Sequence, residues 1–421
     1  MTDKKEKTSA PQAERMQVLT AVLVSVVTVL LTVMFLISPK QSFSENENRV
    51  LAKLPEFTPK SLKDGSFTNG LNRYLSDHFP FRDLFMTLKC ETEIRLGRKE
   101  INGVFIGKDG YYIDEYRTPK NTANIAAHFT KLKENVTTDA RVSLMLVPAS
   151  SAVCADRLPP LAPPQKQMDT LKEIYAAADA AGIHTIDCFG PLTQAAEDAA
   201  RAGGGQAAED AAHAGGGKAA HAGGGKAAGG DEKALYYRTD HHWTTFGAWV
   251  GYTAYCQAAG ITPLPLEAFT EEIVTEDFRG TTFSRLNDLL IPGDRITLRD
   301  HSESRLTVTY ENGKVTDTLY NREYLEKKDK YSMFLDNMHP LIVIENANAD
   351  SGRCLALVKD SYANCLVPYL VNHYQSIYVF DTRYYREGPS ALINAHPEIT
   401  DVLILYNMYT MDEDIGINGI Y

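Results

Sequence analysis

The sequence predicts an α/β protein: a parallel sheet flanked by helices, preceded by a transmembrane helix and interrupted by a β-rich insertion. Three observations carry this expectation. Apolar runs at residues 141–148 and 183–188 alternate with amphipathic helical stretches at 122–135 and 165–181, the rhythm of strands buried on both faces. Three later runs, 354–358, 376–380 and 401–405, each pass into polar residues at their C-terminal ends. Residues 17–38 carry no charge over 22 positions.

That uncharged stretch would span roughly 33 Å as a helix, enough for a hydrocarbon core of about 30 Å. Lys4, Lys5, Lys7 and Arg15 lie before it. Residues 1–16 are therefore expected to stay cytoplasmic, 17–38 to anchor the chain as a single pass, and the remainder to be exported. No clean small-x-small cleavage site follows, which argues against a removed signal peptide. Residues 39–100 read as a polar, Pro-punctuated stalk and two short helices split at Pro80, and 101–421 as the main domain. Within it, residues 102–113 alternate about Lys108-Asp-Gly as a hairpin would.

Residues 194–230 repeat Ala-Ala-Glu-Asp-Ala-Ala and Ala-Gly-Gly-Gly without a large apolar side chain. Such low-complexity sequence cannot offset its ordering entropy by burial, so a floppy surface insertion is expected. Thr244 is placed to cap a helix over 246–259. Residues 262–335 read as a β-rich insertion decorating the sheet, with 305–320 alternating about Asn312-Gly313.

The 421 residues are 44% hydrophobic and 23% charged, ordinary for a globular protein, and the net charge of −11 argues against nucleic acid. Cys90, Cys154, Cys188, Cys256, Cys354 and Cys365 show no metal-binding spacing and read as buried thiols. Export would allow a disulfide without choosing its partners.

Two segments concentrate reactive side chains. One carries Asp240, His241, His242 and Trp243 in succession; the other carries Lys359, Asp360, Ser361, Tyr362 and Asn364. In an open α/β sheet the reactive site lies beyond the C-terminal strand ends, which puts Ser361, Arg383 and Asn407 along one rim. A serine hydroxyl needs a base within reach and a third group to orient that base. Ser361 is expected to start a helix over 362–371, kinked at Pro368, whose amides would steady an oxyanion. His242 is the candidate base and Asp240 its orienting acid. His241 meets the spacing equally, and Asp with His also suits a metal, although no further carboxylate–histidine cluster supports one. No cofactor is expected. Trp243 is either a platform for a sugar ring or a core side chain. Arg383, Tyr384 and Tyr385 could bind a hydroxylated or anionic chain. Ser150 and Ser151 read as loop polars near the site, and His339 as a strand-end histidine.

Asp240-His-His-Trp243 followed by Lys359-Asp-Ser-Tyr-Ala-Asn364 resembles the DHHW protein family, which is similar to the SGNH-like domains of alginate O-acetylation proteins. The resemblance covers about residues 44–421, with Glu47-Asn-Arg49, His78-Phe-Pro-Phe-Arg82 and the stretches 102–106, 341–345 and 381–385, but not the Ala/Gly insertion. It implies an SGNH/flavodoxin-like sheet with a permuted motif order, acid and base before nucleophile, unlike GDSL-type esterases. It makes Ser361 the nucleophile, His242 the base, Asp240 the orienter and Asn407 an oxyanion donor, although no Gly-x-Asn-Asp pattern surrounds Asn407. Trp243, His241, Tyr362 and Arg383 complete the expected oxyanion and substrate-binding set. Lys359 stands where GDSL-type motifs have glycine; its side chain either crowds the turn or points away to pair with an acid.

The resemblance implies a membrane-anchored, extracytoplasmic enzyme that adds or removes acetyl groups on a cell-envelope polysaccharide. A transferase would need a multispan membrane partner to deliver the acyl donor. The alternative is a non-catalytic polysaccharide-binding or envelope-assembly protein in which the same residues are structural.

Overall fold

The computed structural model describes residues 10–44, 47, 49–213, 233–288, 290–411 and 414–421. The chain divides into two compact units, Met1–Thr92 and Glu93–Tyr421. In the first, a helix runs over Ala10–Ile37. Its stretch Glu14–Ile37 is the one helix among the described residues long and apolar enough to cross a membrane. Val18, Leu23 and Val29 on it are each 63% exposed, unlike the apolar residues of a soluble core.

The stretch read as a stalk is folded. β1 (Phe43–Ser44) pairs antiparallel with β2 (Arg49–Val50). The Arg49 guanidinium bonds Asp77 at 2.6 and 3.0 Å, at the end of the helix Ser66–Asp77. Glu47 takes both Arg49 and Arg82 at 2.8 Å. The polar motifs near residues 47 and 82 are thus one ion cluster, and a second helix, Arg82–Arg95, follows Pro80.

The second unit opens with a meander rather than a single hairpin: β3 (Glu100–Ile101), β4 (Val104–Ile106) and β5 (Tyr112–Asp114). The turn from β3 to β4 uses Asn102 and Gly103 at φ of 55° and 74°, as a two-residue hairpin loop requires. Later strands are β6 (Arg141–Val147), β7 (His184–Thr185), β8 (Thr270–Phe278), β9 (Asp294–Asp300), β10 (Leu306–Tyr310), β11 (Val315–Thr316), β12 (Leu341–Asn346), β13 (Cys354–Lys359), β14 (Ser376–Phe380) and β15 (Asp401–Asn407). β8 and β9 form a separate antiparallel pair, and the others make one eight-stranded sheet in the order β11-β10-β12-β14-β13-β15-β6-β7.

From β14 to β7 the strands are parallel, whereas β12 and β10 join antiparallel. The parallel expectation therefore holds for the centre and one side only. The hairpin about Asn312-Gly313 forms, with β10 on β11 and Gly313 at φ 83°. However, β10 also pairs with β12 along its whole length, so this part of the 262–335 stretch extends the sheet rather than decorating it.

Alternate side chains of the parallel strands enter two cores. Met145, Leu357 and Leu403 pack with Trp243 and Tyr252 on one face. Leu144, Ala356, Val358 and Ile404 pack with Phe129 and Ile174, from the helices Thr122–Asn135 and Gln167–Ala180, on the other. Both faces are covered, which is why these strands read as unbroken apolar runs. A helix over Phe189–His213 continues into the Ala/Gly stretch, and Ala195 and Ala196 pack against the core. Residues 194–213 of the low-complexity stretch are thus helical, and residues 214–230 lie outside the described residues. All six cysteines are buried.

Candidate active site

Ser361 emerges two residues beyond the end of β13, which lies between β14 and β15. The chain there is a 3-10 turn, Ser361–Cys365, followed by one α-turn, Val367–Leu370. The expected longer helix is interrupted because Pro368 lacks an N–H and its ring clashes with the preceding turn. The tip therefore offers individual amides rather than the field of a long helix. The Asp360 carboxylate fixes it. Oδ1 accepts Tyr362 N at 2.9 Å, and Oδ2 accepts Asn407 N and Nδ2, both at 2.6 Å, joining the ends of β13 and β15. The Ser361 amide itself meets no acceptor among the described residues.

His242 reaches this tip from the loop before the helix Thr245–Ala259, which Thr244 caps by accepting Gly247 N at 3.1 Å. Its Nε2 lies 2.8 Å from Ser361 Oγ and its Nδ1 2.5 Å from Asp240 Oδ1. Asp240 Oδ1 also accepts the His242 backbone N–H at 2.9 Å, and Oδ2 accepts Thr281 N at 2.8 Å and Thr281 Oγ1 at 3.0 Å. Four donors saturate a carboxylate. Burial alone would favour the neutral acid, but His242, His241 and these hydrogen bonds outweigh it and hold Asp240 well below the usual carboxylate range. An ionised carboxylate only accepts, so His242 Nδ1 carries the proton and Nε2 turns its lone pair to the serine hydroxyl. His242 is 5% exposed, while Ser361 is half-buried and open to solvent. The Tyr331 ring stacks on His242, and its hydroxyl donates to the Ser361 carbonyl at 3.0 Å.

The remaining expected residues divide sharply. His241 Nδ1 lies 2.6 Å from Thr281 Oγ1, and burial, then the adjacent His242, push its pKa down to about 3. Trp243 is fully buried and donates Nε1 to the Tyr362 carbonyl at 2.8 Å. A Cβ on Gly251 would lie 2.7 Å from its ring, so Trp243 is a core side chain and not a sugar platform. Tyr362 is also fully buried, with its hydroxyl on the His241 carbonyl, and cannot touch substrate. Asn407 spends both Nδ2 hydrogens on Asp360 and on Thr410 Oγ1 at 2.8 Å, so it holds strand ends together and has no hydrogen left for an oxyanion.

Arg383 stays at the rim with its side chain one-quarter exposed and Nε on Asp381 at 2.8 Å. Lys359 turns inward to Asn364 Oδ1 at 2.8 Å and Asp381 Oδ2 at 3.4 Å, leaving the turn uncrowded. Burial pushes its ammonium down while Asp381 opposes this. Ser150 and Ser151 start a short buried helix, Ser150–Val153, and are not loop residues. His339 sits 2.9 Å from Glu311. Asp240, His241 and His242 offer donor atoms within 4.8 Å of one another, but both carboxylate oxygens and both Nδ1 atoms are already engaged, a poor fit for a metal. Sequence reasoning missed Gly280, Thr281 and Tyr331, which no motif marks. The role of Asp360 could have been found as an Asx turn onto Tyr362.

The fold is a mostly parallel α/β sheet with an acid–imidazole–hydroxyl chain at its C-terminal strand ends. Residues 229–380 match the model of the DHHW protein family. The fold is similar to the crystal structure of a DHHW family protein from Eubacterium siraeum, with TM-score 0.57 and 23% identity over 76% of this chain and 96% of that one. It is also similar to Bacillus cereus PatB1 with a sulfonyl adduct, with TM-score 0.54 and 18% identity over 76% and 98% of the two chains. In sequence it is 24% identical over 239 residues to the probable alginate O-acetylase AlgJ of Pseudomonas syringae pv. tomato, covering 54% of this chain and 52% of AlgJ. The chain thus spans about half the length of that relative.

Proposed function

We propose that this chain is a membrane-anchored, extracytoplasmic enzyme that transfers or hydrolyses acetyl groups on a cell-envelope polysaccharide. Ser361 is the nucleophile, His242 the base and Asp240 its orienting acid, in a permuted motif order. The observation that carries this reading is the run of contacts from Asp240 to His242 to Ser361, 2.5 and 2.8 Å long. The activity named for the AlgJ relative and the sulfonyl adduct on PatB1 support the same class. The helix Glu14–Ile37 serves as the anchor, with the N-terminus in the cytoplasm, and a multispan membrane partner supplies the acyl donor.

The chemistry follows from the hydrogen bonds. Ser361 Oγ attacks the acetyl carbonyl carbon as its proton passes to His242 Nε2, and Asp240 stabilises the imidazolium. The carbonyl oxygen becomes an oxyanion, for which the unengaged Ser361 amide is a donor. Collapse expels the donor's oxygen, which takes the proton from Nε2 and leaves acetyl-serine. A sugar hydroxyl or water then gives its proton to Nε2 and attacks the ester carbonyl; as the bond to Ser361 Oγ breaks, Oγ takes that proton back from Nε2, releasing the acetylated sugar or acetate and restoring the enzyme. Arg383, at the rim, is placed to meet the polymer.

Ser361→Ala and His242→Ala should each lower nitrophenyl acetate turnover by on the order of 10³-fold or more. A sulfonyl fluoride should label the wild type at Ser361 and leave Ser361→Ala untouched. Wild-type rates in both variants, or a folded wild type that never labels, would instead favour the binding or assembly role.

A further inference from the structure

Two imidazoles flank one carboxylate. His241 Nδ1 stands 3.7 Å from Asp240 Oδ2, and His242 Nδ1 stands 2.5 Å from Oδ1. The Thr281 hydroxyl bridges the first pair, 2.6 Å from the imidazole and 3.0 Å from the carboxylate. Thr281 lies 41 residues further along the chain than Asp240, outside both motif segments.

We infer that Gly280 and Thr281 are positioning residues that decide which imidazole Asp240 serves: the Thr281 hydroxyl separates His241 from the acid, so that Asp240 orients His242 alone. This rests on the triad reading above. The proton count supports it. A hydroxyl has one hydrogen, and Asp240 Oδ2 can only accept, so Thr281 donates to Oδ2. Its lone pair then faces His241 Nδ1, which must be the donor. His241 is therefore the Nδ1–H tautomer, with its proton directed at Thr281 instead of the acid. The Thr281 backbone N–H adds a second bond to Oδ2. Without the hydroxyl, Oδ2 would keep one donor, and His241 would be the nearest group able to supply another.

Gly280 makes this approach feasible. Its backbone sits at φ −88° and ψ −152°, open to other residues, so conformation does not call for glycine. Space does: a Cβ there would lie 2.1 Å from Asp240 Oδ2 and 2.5 Å from Cγ. A side chain at residue 280 would push the carboxylate off both of its partners.

The test uses the full chain in detergent. Thr281→Val, nearly isosteric, should lower kcat for nitrophenyl acetate about 10–100-fold, as when a buried acceptor loses a donor, with KM little changed. Thr281→Ser, which keeps the hydroxyl, should restore kcat to within about threefold. Gly280→Ala should lose more than Thr281→Val. In selectively ¹⁵N-histidine-labelled protein, the wild-type His241 ring should carry its proton on Nδ1, and that signal should change in Thr281→Val. An active wild type with unchanged kcat in Thr281→Val, or an Nε2-protonated His241 in the wild type, would overturn the inference. Should Thr281→Val fail to fold, the wild-type ring signal and the serine variant decide. A wild type that neither turns over ester nor labels sinks the triad reading instead, and the ring signals still report on the bridge.

Discussion

Tyr331 lies flat against His242, with ring centroids 3.9 Å apart and planes 14° from parallel. The same tyrosine holds the Ser361 carbonyl through its hydroxyl. One buried side chain thus sets the plane of the His242 ring and the backbone at Ser361. Tyr331→Phe keeps the stack and should cost less than about tenfold in kcat/KM. Tyr331→Ala removes the stack and leaves a cavity, so about 3–5 kcal/mol of stability should go with it. Denaturant unfolding beside ester turnover separates the two effects.

Asp240→Asn should be far more damaging than its size suggests. The amide nitrogen would present hydrogens where two donors already point. His242 would lose the acceptor that fixes its tautomer, and turnover should fall on the order of 10⁴-fold. The rate of sulfonyl labelling at Ser361 should fall in parallel, which stopped-assay mass measurements can follow.

Acid should destabilise the fold through His241. Its folded pKa is pushed down to about 3, from an ordinary value of 6.5, by burial and then by His242. Between those values the unfolded chain binds more protons than the folded one, so stability is full above 6.5 and is lost as pH falls. The slope reaches about 1.4 kcal/mol per pH unit. Asp414, pushed up to about 6 by burial, works in the opposite sense, so the comparison is made against a variant. His241→Asn should flatten the stability difference between roughly pH 4.5 and pH 7, measured by urea unfolding.

Lys359→Met should weaken the sheet end. It would leave Asp381, fully buried, to Arg383 alone, and breaking one arm of a buried ion cluster costs about 3–5 kcal/mol. A lower midpoint in urea with the slope unchanged is the expected outcome.

The centre of the sheet is legible in the sequence because strands buried on both faces are written as continuous apolar runs. β10 and β12 are harder to place, since their side chains alternate between buried and exposed and their pairing joins distant segments. The residue types of the candidate site are legible for the same reason: Ser361 ends a strand, and His242 precedes a capped helix. Spacing does not separate His242 from His241, because the hydroxyl that tells them apart is far along the chain. Tyr362 adjoins Ser361 in sequence yet is fully buried, and Trp243 takes the core alternative of its two readings. Asn407 does stand at a strand end, but its neighbours Tyr406 and Met408 are buried and its Nδ2 hydrogens go to Asp360 and Thr410.

Two of the four bonds to Asp240 come from residue 281. The reactive arrangement consequently exists only in a completed molecule. Before residue 281 docks, Asp240 Oδ2 lacks both of its donors and the His242 ring rests on Oδ1 alone.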